Sequence, residues 1–231
     1  MAAGMGSRFG NKTKDKPKGF IEFKGRSMIE RSIEILLNNG IEKIIIGTGY
    51  QNEFYDQLAS NNEKITCVFS EKFADTNSMY TLWKCKEEIA SDDFLLLESD
   101  LIFEDKAIKS LIESEYKNAL LCSEVIKFQD SYYIEYNNEN DLTFCSVNEA
   151  ELDIKGELVG IHKLSNNYYC SLCETFEKLM EDEPKQGYEY TILKLAKEGK
   201  PIKVLQLDNL LWYEIDDDND LEFAEKNINI S

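Results

Sequence analysis

Phe94-Leu-Leu-Leu-Glu-Ser-Asp100 joins four consecutive apolar residues to two acids, without the polar alternation that would leave one face in water. A short unbroken apolar run suits a strand covered on both faces, and so a sheet layered between helices. Asp100 then falls just beyond the strand, at the carboxyl edge where open α/β sheets bind ligands. Comparable runs rich in Val, Ile and Leu place strands at residues 43–48, 65–69, 93–98, 119–125, 132–136, 158–164 and 202–207. Helical periodicity between and beyond them places helices at 27–38, 52–60, 78–89, 106–113, 167–181, 189–198 and 218–226. Asn39-Gly40 is a helix stop between the first helix and its following strand. The alternation predicts an α/β, Rossmann-like three-layer fold on a mixed, mainly parallel sheet. Residues 1–231 read as one domain, since no linker, repeat or low-complexity segment divides them.

Leu210-Leu-Trp-Tyr-Glu-Ile215 is a second apolar run that ends in an acid, Asp216. Magnesium takes one or two carboxylates together with phosphates and water, so Asp100 and Asp216 are the candidate metal ligands. The alternative for Asp216 is a helix cap, within the acidic stretch before the last helix.

The chain opens with Met1-Ala-Ala-Gly-Met-Gly-Ser-Arg8. In such a small-residue loop Gly4 and Gly6 let backbone N–H groups approach phosphate oxygens, and Arg8 adds a planar charged fork. Lys16-Pro17-Lys18-Gly19 follows, with Lys18 as a compact point charge on a stiffened turn. The bland reading is a flexible basic N-terminus. The basic residues here stand out because the whole chain carries Lys+Arg 26 against Asp+Glu 44, a formal net charge of −18. That field repels polyanions and makes nucleic acid and anionic membrane surfaces poor partners, while a local cationic pocket remains allowed.

No run approaches the roughly 18 to 20 apolar residues that span a bilayer, and no secretory pattern opens the chain, so a cytoplasmic location is expected. Cys170 and Cys173 form a CxxC, but within a helical segment and without a second pair, which favours helix packing over zinc. Residues 132–153 contain short alternating strands and an acidic, Asn-rich turn. They read as part of an antiparallel insertion over about residues 126–164 that overhangs the site, or as a plain solvated hairpin.

AAGMGSRFG, KPKGF, ESDLIF and WYEID, in that order, resemble the nucleotidyltransferases of the nucleotide-diphospho-sugar transferase superfamily. The stretch Phe73-Ala-Asp-Thr-Asn-Ser-Met-Tyr-Thr-Leu82 resembles the small bacterial phosphocholine cytidylyltransferases. KGF, IGTG at 46–49, LLLESDLI at 95–102, GELVGI at 156–161 and YEY at 188–190 are similar to 2-aminoethylphosphonate cytidylyltransferase. The resemblance implies that Ala2 to Arg8 and Lys18 hold the triphosphate of CTP, that Asp100 and Asp216 bind Mg2+, and that Asn77 and Ser78 lie beside the cytosine. Arg8, Lys18 and Asp100 are the implied catalytic residues. One departure stands out: such proteins normally begin with a buried strand before AAG, whereas this sequence has only Met1 there. The expectation is a sheet lacking its first strand, with a true start five or six residues upstream or a truncation.

The implied reaction is attack of a phosphonate or phosphate oxygen on the α-phosphorus of CTP. The nucleophile is already an anion near neutral pH, so no strong base is needed. His162, the sole histidine, lies in a predicted strand rather than a loop. The acceptor is a small zwitterion, and Tyr188, Glu189 and Tyr132 are its candidate partners. Glu189 favours a primary ammonium such as 2-aminoethylphosphonate, while tyrosines would also suit quaternary choline. Sugar-1-phosphate transfer and a non-catalytic nucleotide-binding module are the remaining alternatives, and a homodimer stays open.

Overall fold

The computed structural model describes residues 1–10, 13–127 and 131–230. A small hairpin, β1 (Glu22–Phe23) and β2 (Arg26–Ser27), feeds α1 (Met28–Asn38), capped by the Ser27 hydroxyl that accepts from the Glu30 N–H. Then come β3 (Ile44–Thr48), α2 (Glu53–Ser60), β4 (Ile65–Phe69), α3 (Ser78–Lys84), α4 (Lys86–Ile89), β5 (Phe94–Leu97), β6 (Leu101–Phe103) and α5 (Lys106–Glu113). The second half holds β7 (Ala119–Ser123), β8 (Tyr133–Tyr136), β9 (Leu142–Ser146), β10 (Gly156–Leu164), α6 (Asn166–Leu179), α7 (Tyr188–Lys197), β11 (Lys203–Gln206), β12 (Trp212–Glu214) and α8 (Asp218–Asn227).

β10 is the hub of the main sheet. It runs antiparallel to both β5 and β7, while β11 joins β7 in parallel, so β5, β7 and β11 share one direction. β3 and β4 form a separate parallel pair, and the mixed, mainly parallel α/β architecture is as expected. β8 and β9 make an antiparallel hairpin beside the start of β10, with Tyr133 opposite Glu157. β6 pairs with β12 in antiparallel register, Leu101 opposite Glu214. Helices bury apolar residues on the sheet: Leu82, Leu172, Phe176 and Ile192 sit in one core cluster and Ile33, Leu36, Ile108 and Leu111 in another.

The predicted strands and helices fall within two residues of their positions, with one exception. The predicted helix over 78–89 breaks after Lys84 and restarts at Lys86, and it ends at Ala90, whose φ is +52°. Cys173 packs in the core through α6 while Cys170 is exposed, and none of the six cysteines is in a disulfide. No described helix is long and apolar enough to cross a membrane.

Between β3 and β5 runs only the start of the chain. The Met1 ammonium donates to the Leu97 carbonyl at 2.5 Å, and the Ala2 N–H donates to Gly47 at 2.8 Å. Ala2 bridges Thr48 in parallel, as a strand residue would. Beside this two-residue stub lies a cavity of about 520 Å³, lined by apolar side chains including Ile33, Leu36, Ile44, Ile46, Leu82 and Leu96. Among the described residues, the Ala2 bridge is the pairing that this segment makes with β3.

Candidate active site

The pairing of β6 with β12 decides where the acids meet. Asp100 lies just before β6 and Asp216 two residues past β12, and the Ile215 N–H donates to the Asp100 carbonyl at 3.0 Å. One carboxylate oxygen each from Asp100, Glu214 and Asp216 lie within 4.8 Å of one another. Asp217, not Asp216, caps α8, accepting from the Asn219 and Asp220 N–H groups, which leaves the Asp216 carboxylate to the site.

Three cations converge on these acids. Lys18 Nζ lies 2.5 Å from Asp100 Oδ2 and 2.8 Å from Asp216 Oδ1, and Arg8 reaches the same Asp216 oxygen at 2.7 Å. Lys127 Nζ takes the other oxygen, Asp216 Oδ2, at 3.1 Å and Asp220 Oδ2 at 2.8 Å. Asp216 is 3% exposed. Burial alone would raise its pKa, but Lys18 and then Lys127 hold it below the usual carboxylate range. For Glu214 the balance goes the other way: burial, then the charges of Asp100 and Asp216, outweigh Lys18 and Lys127 and push its carboxyl well above the ordinary range. Burial lowers the Lys18 pKa, and the two aspartates outweigh it so that the ammonium stays charged.

Lys18 follows Pro17, which is extended, and opens the short turn Lys18–Phe20. Gly19 is required by a close approach, because a Cβ there would lie 2.9 Å from the Tyr55 hydroxyl. Gly6 has φ +60°, and its carbonyl accepts from Thr13 Oγ1 at 2.9 Å. Ser7 contributes backbone to the short turn Ser7–Phe9, and its side chain lies outside the described set.

Beside the acids opens a cavity of about 220 Å³, lined by Ala2, Ala3, Gly4, Lys18, Asn77, Ser78, Glu98 and Asp100 among others. Asn77 caps α3 through its Oδ1, which accepts from the Ser78 N–H, and Ser78 Oγ accepts from the Tyr188 N–H at 3.1 Å. That bond ties the start of α7 to the cavity wall. Glu98 and Glu189 are half-buried. Burial first, then their mutual charge for Glu189 and Asp100's charge for Glu98, push them up to about 8 and about 7 respectively. The Tyr188 hydroxyl hydrogen-bonds Glu98 and lies 3.3 Å from His162 Nε2. Tyr132 packs edge-on against Tyr190, ring centres 5.7 Å apart. His162 is fully buried, and desolvation drops its pKa to about 3, so it is neutral.

Arg8, Lys18, Asp100 and Asp216 therefore meet at one point, Ala2, Ala3, Gly4, Asn77 and Ser78 line the adjoining cavity, and Gly6 lies outside that lining. Tyr188, Glu189 and Tyr132 lie outside that lining and gather around Gly187, where a Cβ would lie 2.6 Å from Glu189 Oε2 and 3.7 Å from both Ser78 Oγ and the Tyr132 hydroxyl. Sequence reasoning passed over Glu214, Glu98 and Lys127. The first two were accessible: each precedes a chosen aspartate by two residues, the strand period that returns a side chain to the same face. Lys127 belongs to no motif, and only the fold brings it to the acids.

The residues present fit a divalent cation. Asp100 Oδ1 is buried with no hydrogen-bond partner, an arrangement a metal ligand would relieve, and the all-oxygen set of Asp100, Glu214 and Asp216 suits magnesium.

An α/β sheet that gathers cations and carboxylates at its carboxyl edge, beneath a loop of small residues, defines a nucleotide-binding protein that handles phosphates. The particular family follows from comparison: residues 1–129 match the MobA-like NTP transferase domain, and the chain belongs to that family. It is 24% identical over 254 residues to the CTP:phosphoglutamine cytidylyltransferase of Campylobacter jejuni, covering 96% of each chain. It is 34% identical over 116 residues to the choline-phosphate cytidylyltransferase of Streptococcus pneumoniae, half of each chain. With the 2-aminoethylphosphonate cytidylyltransferase of Lancefieldella rimae it shares 29% identity over 108 residues, 47% of this chain and 44% of that one. The chain spans about half the length of several curated relatives. Among solved structures, the CTP:phosphocholine cytidylyltransferase of Streptococcus pneumoniae superimposes with a TM-score of 0.83 at 23% identity, over 99% of this chain and 96% of that one, a likeness of fold.

Proposed function

We propose that this protein is a Mg2+-dependent cytidylyltransferase that transfers CMP from CTP to 2-aminoethylphosphonate and releases pyrophosphate. The observation that carries the reading is the meeting of Arg8 and Lys18 with Asp100, Glu214 and Asp216 beside a cavity lined by Lys18, Asn77, Ser78 and Asp100, with Glu189 packed against Gly187 next to Ser78. The family match and the cytidylyltransferase relatives support the reaction class.

In this reading the loop amides from Ala2 to Ser7, with Arg8 and Lys18, hold the triphosphate. Asp100, Glu214 and Asp216 would hold Mg2+, which when bound neutralises phosphate charge. Asn77 and Ser78 face the cytosine. A phosphonate oxygen forms the new bond to the α-phosphorus, the bond from that phosphorus to the bridging oxygen of the β-phosphate breaks, and pyrophosphate departs with the electron pair. The nucleophile arrives ionised, so no proton changes hands, consistent with a neutral, buried His162. Catalysis is then alignment and charge neutralisation.

Glu189 supports the choice of a primary ammonium. A carboxyl held near pKa 8 without a cationic partner gains its charge when an ammonium arrives to share it, and N–H donors reward a carboxylate more than quaternary nitrogen can. Pyrophosphate release with CTP, Mg2+ and a panel of acceptors tests the reading. Turnover of 2-aminoethylphosphonate at least tenfold more efficient than of phosphocholine or a sugar 1-phosphate is expected. Preferential turnover of either competitor, or none of any, would overturn it.

A further inference from the structure

Asp216 is divided between two sides of the site. Its Oδ1 faces the N-terminal cations, Arg8 at 2.7 Å and Lys18 at 2.8 Å, and its Oδ2 faces Lys127 at 3.1 Å. The fold invests in holding Lys127 there. Glu157, 1% exposed on β10, accepts from the backbone N–H groups of both Ile126 (2.7 Å) and Lys127 (3.0 Å) through the same oxygen. The Tyr133 hydroxyl of β8 donates to the Lys127 carbonyl at 3.0 Å. The side chain is 12% exposed, lies 5.7 Å from the centre of the Tyr213 ring, and is anchored by Asp220. Burying a carboxylate such as Glu157 is unfavourable unless it is well bonded, and its bonds here go to the backbone that presents one lysine.

In-line displacement needs the attacking and leaving groups on opposite sides of the phosphorus. In the proposed reaction the loop cations Arg8 and Lys18 hold the leaving pyrophosphate. An attacking anion approaching a negatively charged triphosphate needs a further cation, and Lys127 approaches Asp216 through the oxygen that Arg8 and Lys18 do not use. Resting on the reading given above, we infer that Lys127 is a further catalytic residue, which binds the anionic oxygens of the attacking phosphonate or phosphate and sets them against the α-phosphorus. Glu157 and Tyr133 are its positioning residues. Asp220 keeps the ammonium in place when Asp216 turns to other partners.

Because the lysine recognises the oxyanion rather than the rest of the acceptor, methylphosphonate is the probe. Wild-type protein and Lys127→Met are each saturated with Mg2+ and the α,β-methylene analogue of CTP, which cannot react, and titrated with methylphosphonate by calorimetry. Affinity for methylphosphonate should fall about 100-fold in Lys127→Met and recover in large part in Lys127→Arg, as for removal of one charge-stabilising donor. Affinity for the CTP analogue should change less than threefold, which also reports that the variant is folded. In turnover, kcat/KM for the acceptor should drop by the same factor while KM for CTP holds. Equal methylphosphonate binding by wild type and Lys127→Met, or none by the wild type, overturns the assignment. Absence of turnover with every acceptor would instead count against the proposed reaction, and the binding comparison would still decide the role of Lys127.

Discussion

Removing the shared charge at Asp216 tests the electrostatics of the site without substrate. In Asp216→Asn the amide keeps the shape but removes the charge that Arg8, Lys18 and Lys127 share, leaving Asp100 beside Lys18 and Asp220 beside Lys127. The loss is smaller than three ion pairs. Arg8 is 53% exposed and recovers water, so its pair is worth under about 1 kcal/mol. Lys18 keeps Asp100 and Lys127 keeps Asp220, each at the cost of one buried partner. Breaking a fully buried pair costs about 3 to 5 kcal/mol. With second partners retained and some repulsion relieved at Glu214, we expect about 2 to 3 kcal/mol, a fall in Tm of about 5 to 10 °C for a chain of this size. The assay is thermal unfolding with a chelator present, at pH 7 and at pH 3. The folded-state pKa of Asp216 is depressed, so its stabilisation is complete above the unfolded value of about 3.9 and is lost as pH falls through the folded value. The gap between wild type and variant should therefore narrow at pH 3. Equal Tm at pH 7, or a gap unchanged at pH 3, would refute the charge network.

Glu189→Gln should lower kcat/KM for 2-aminoethylphosphonate by about 10- to 100-fold, the loss of one charge-assisted bond, with a smaller effect on phosphocholine; parallel losses would remove Glu189 from acceptor choice. The same variant has a pH signature in unfolding by denaturant. A carboxyl raised to about 8 keeps a proton that the unfolded chain sheds near 4.3, so wild-type stability falls between those values and Glu189→Gln gains on it, by about 2 to 3 kcal/mol after halving the full linkage value for a half-buried residue. A difference flat from pH 5 to pH 8 would contradict the buried, uncompensated state. The opening between β3 and β5 should accept a strand: a designed extension of four or five β-branched residues before Met1 should raise Tm by several degrees, as each buried Val or Ile contributes about 1.5 to 3 kcal/mol before ordering costs, whereas a Gly-Ser extension of equal length should not.

Much of this site is written locally in the chain. An apolar run ending in an acid specifies both the strand and its carboxyl edge, which is why Asp100 could be placed from its neighbours alone. Asp216 could be placed the same way, although it took the structure to show that Asp217 rather than Asp216 caps the last helix. β9, residues 142–146, is harder, because its buried residues are Leu142, Cys145 and Ser146, with exposed Thr143 and half-buried Phe144 between, and neither strict alternation nor an unbroken apolar run results. What sequence could not supply was convergence across the sheet. Lys127 reaches Asp216 only because the end of β7 meets β12, where Trp212 Nε1 donates to Ser123 Oγ at 2.8 Å, and its backbone is fixed by Glu157 from β10 and Tyr133 from β8, three contacts without a common local pattern. Glu98 and Glu189 likewise acquire their raised pKa values from burial, which no pair of isolated glutamates in a sequence reveals.

The most direct test of the account places the acceptors in competition. Purified protein is given CTP, Mg2+ and equal concentrations of 2-aminoethylphosphonate and phosphocholine, and the products are resolved by mass spectrometry. The account predicts CMP-aminoethylphosphonate as the dominant product, and CDP-choline in excess, or no cytidylylated product of either, would contradict it.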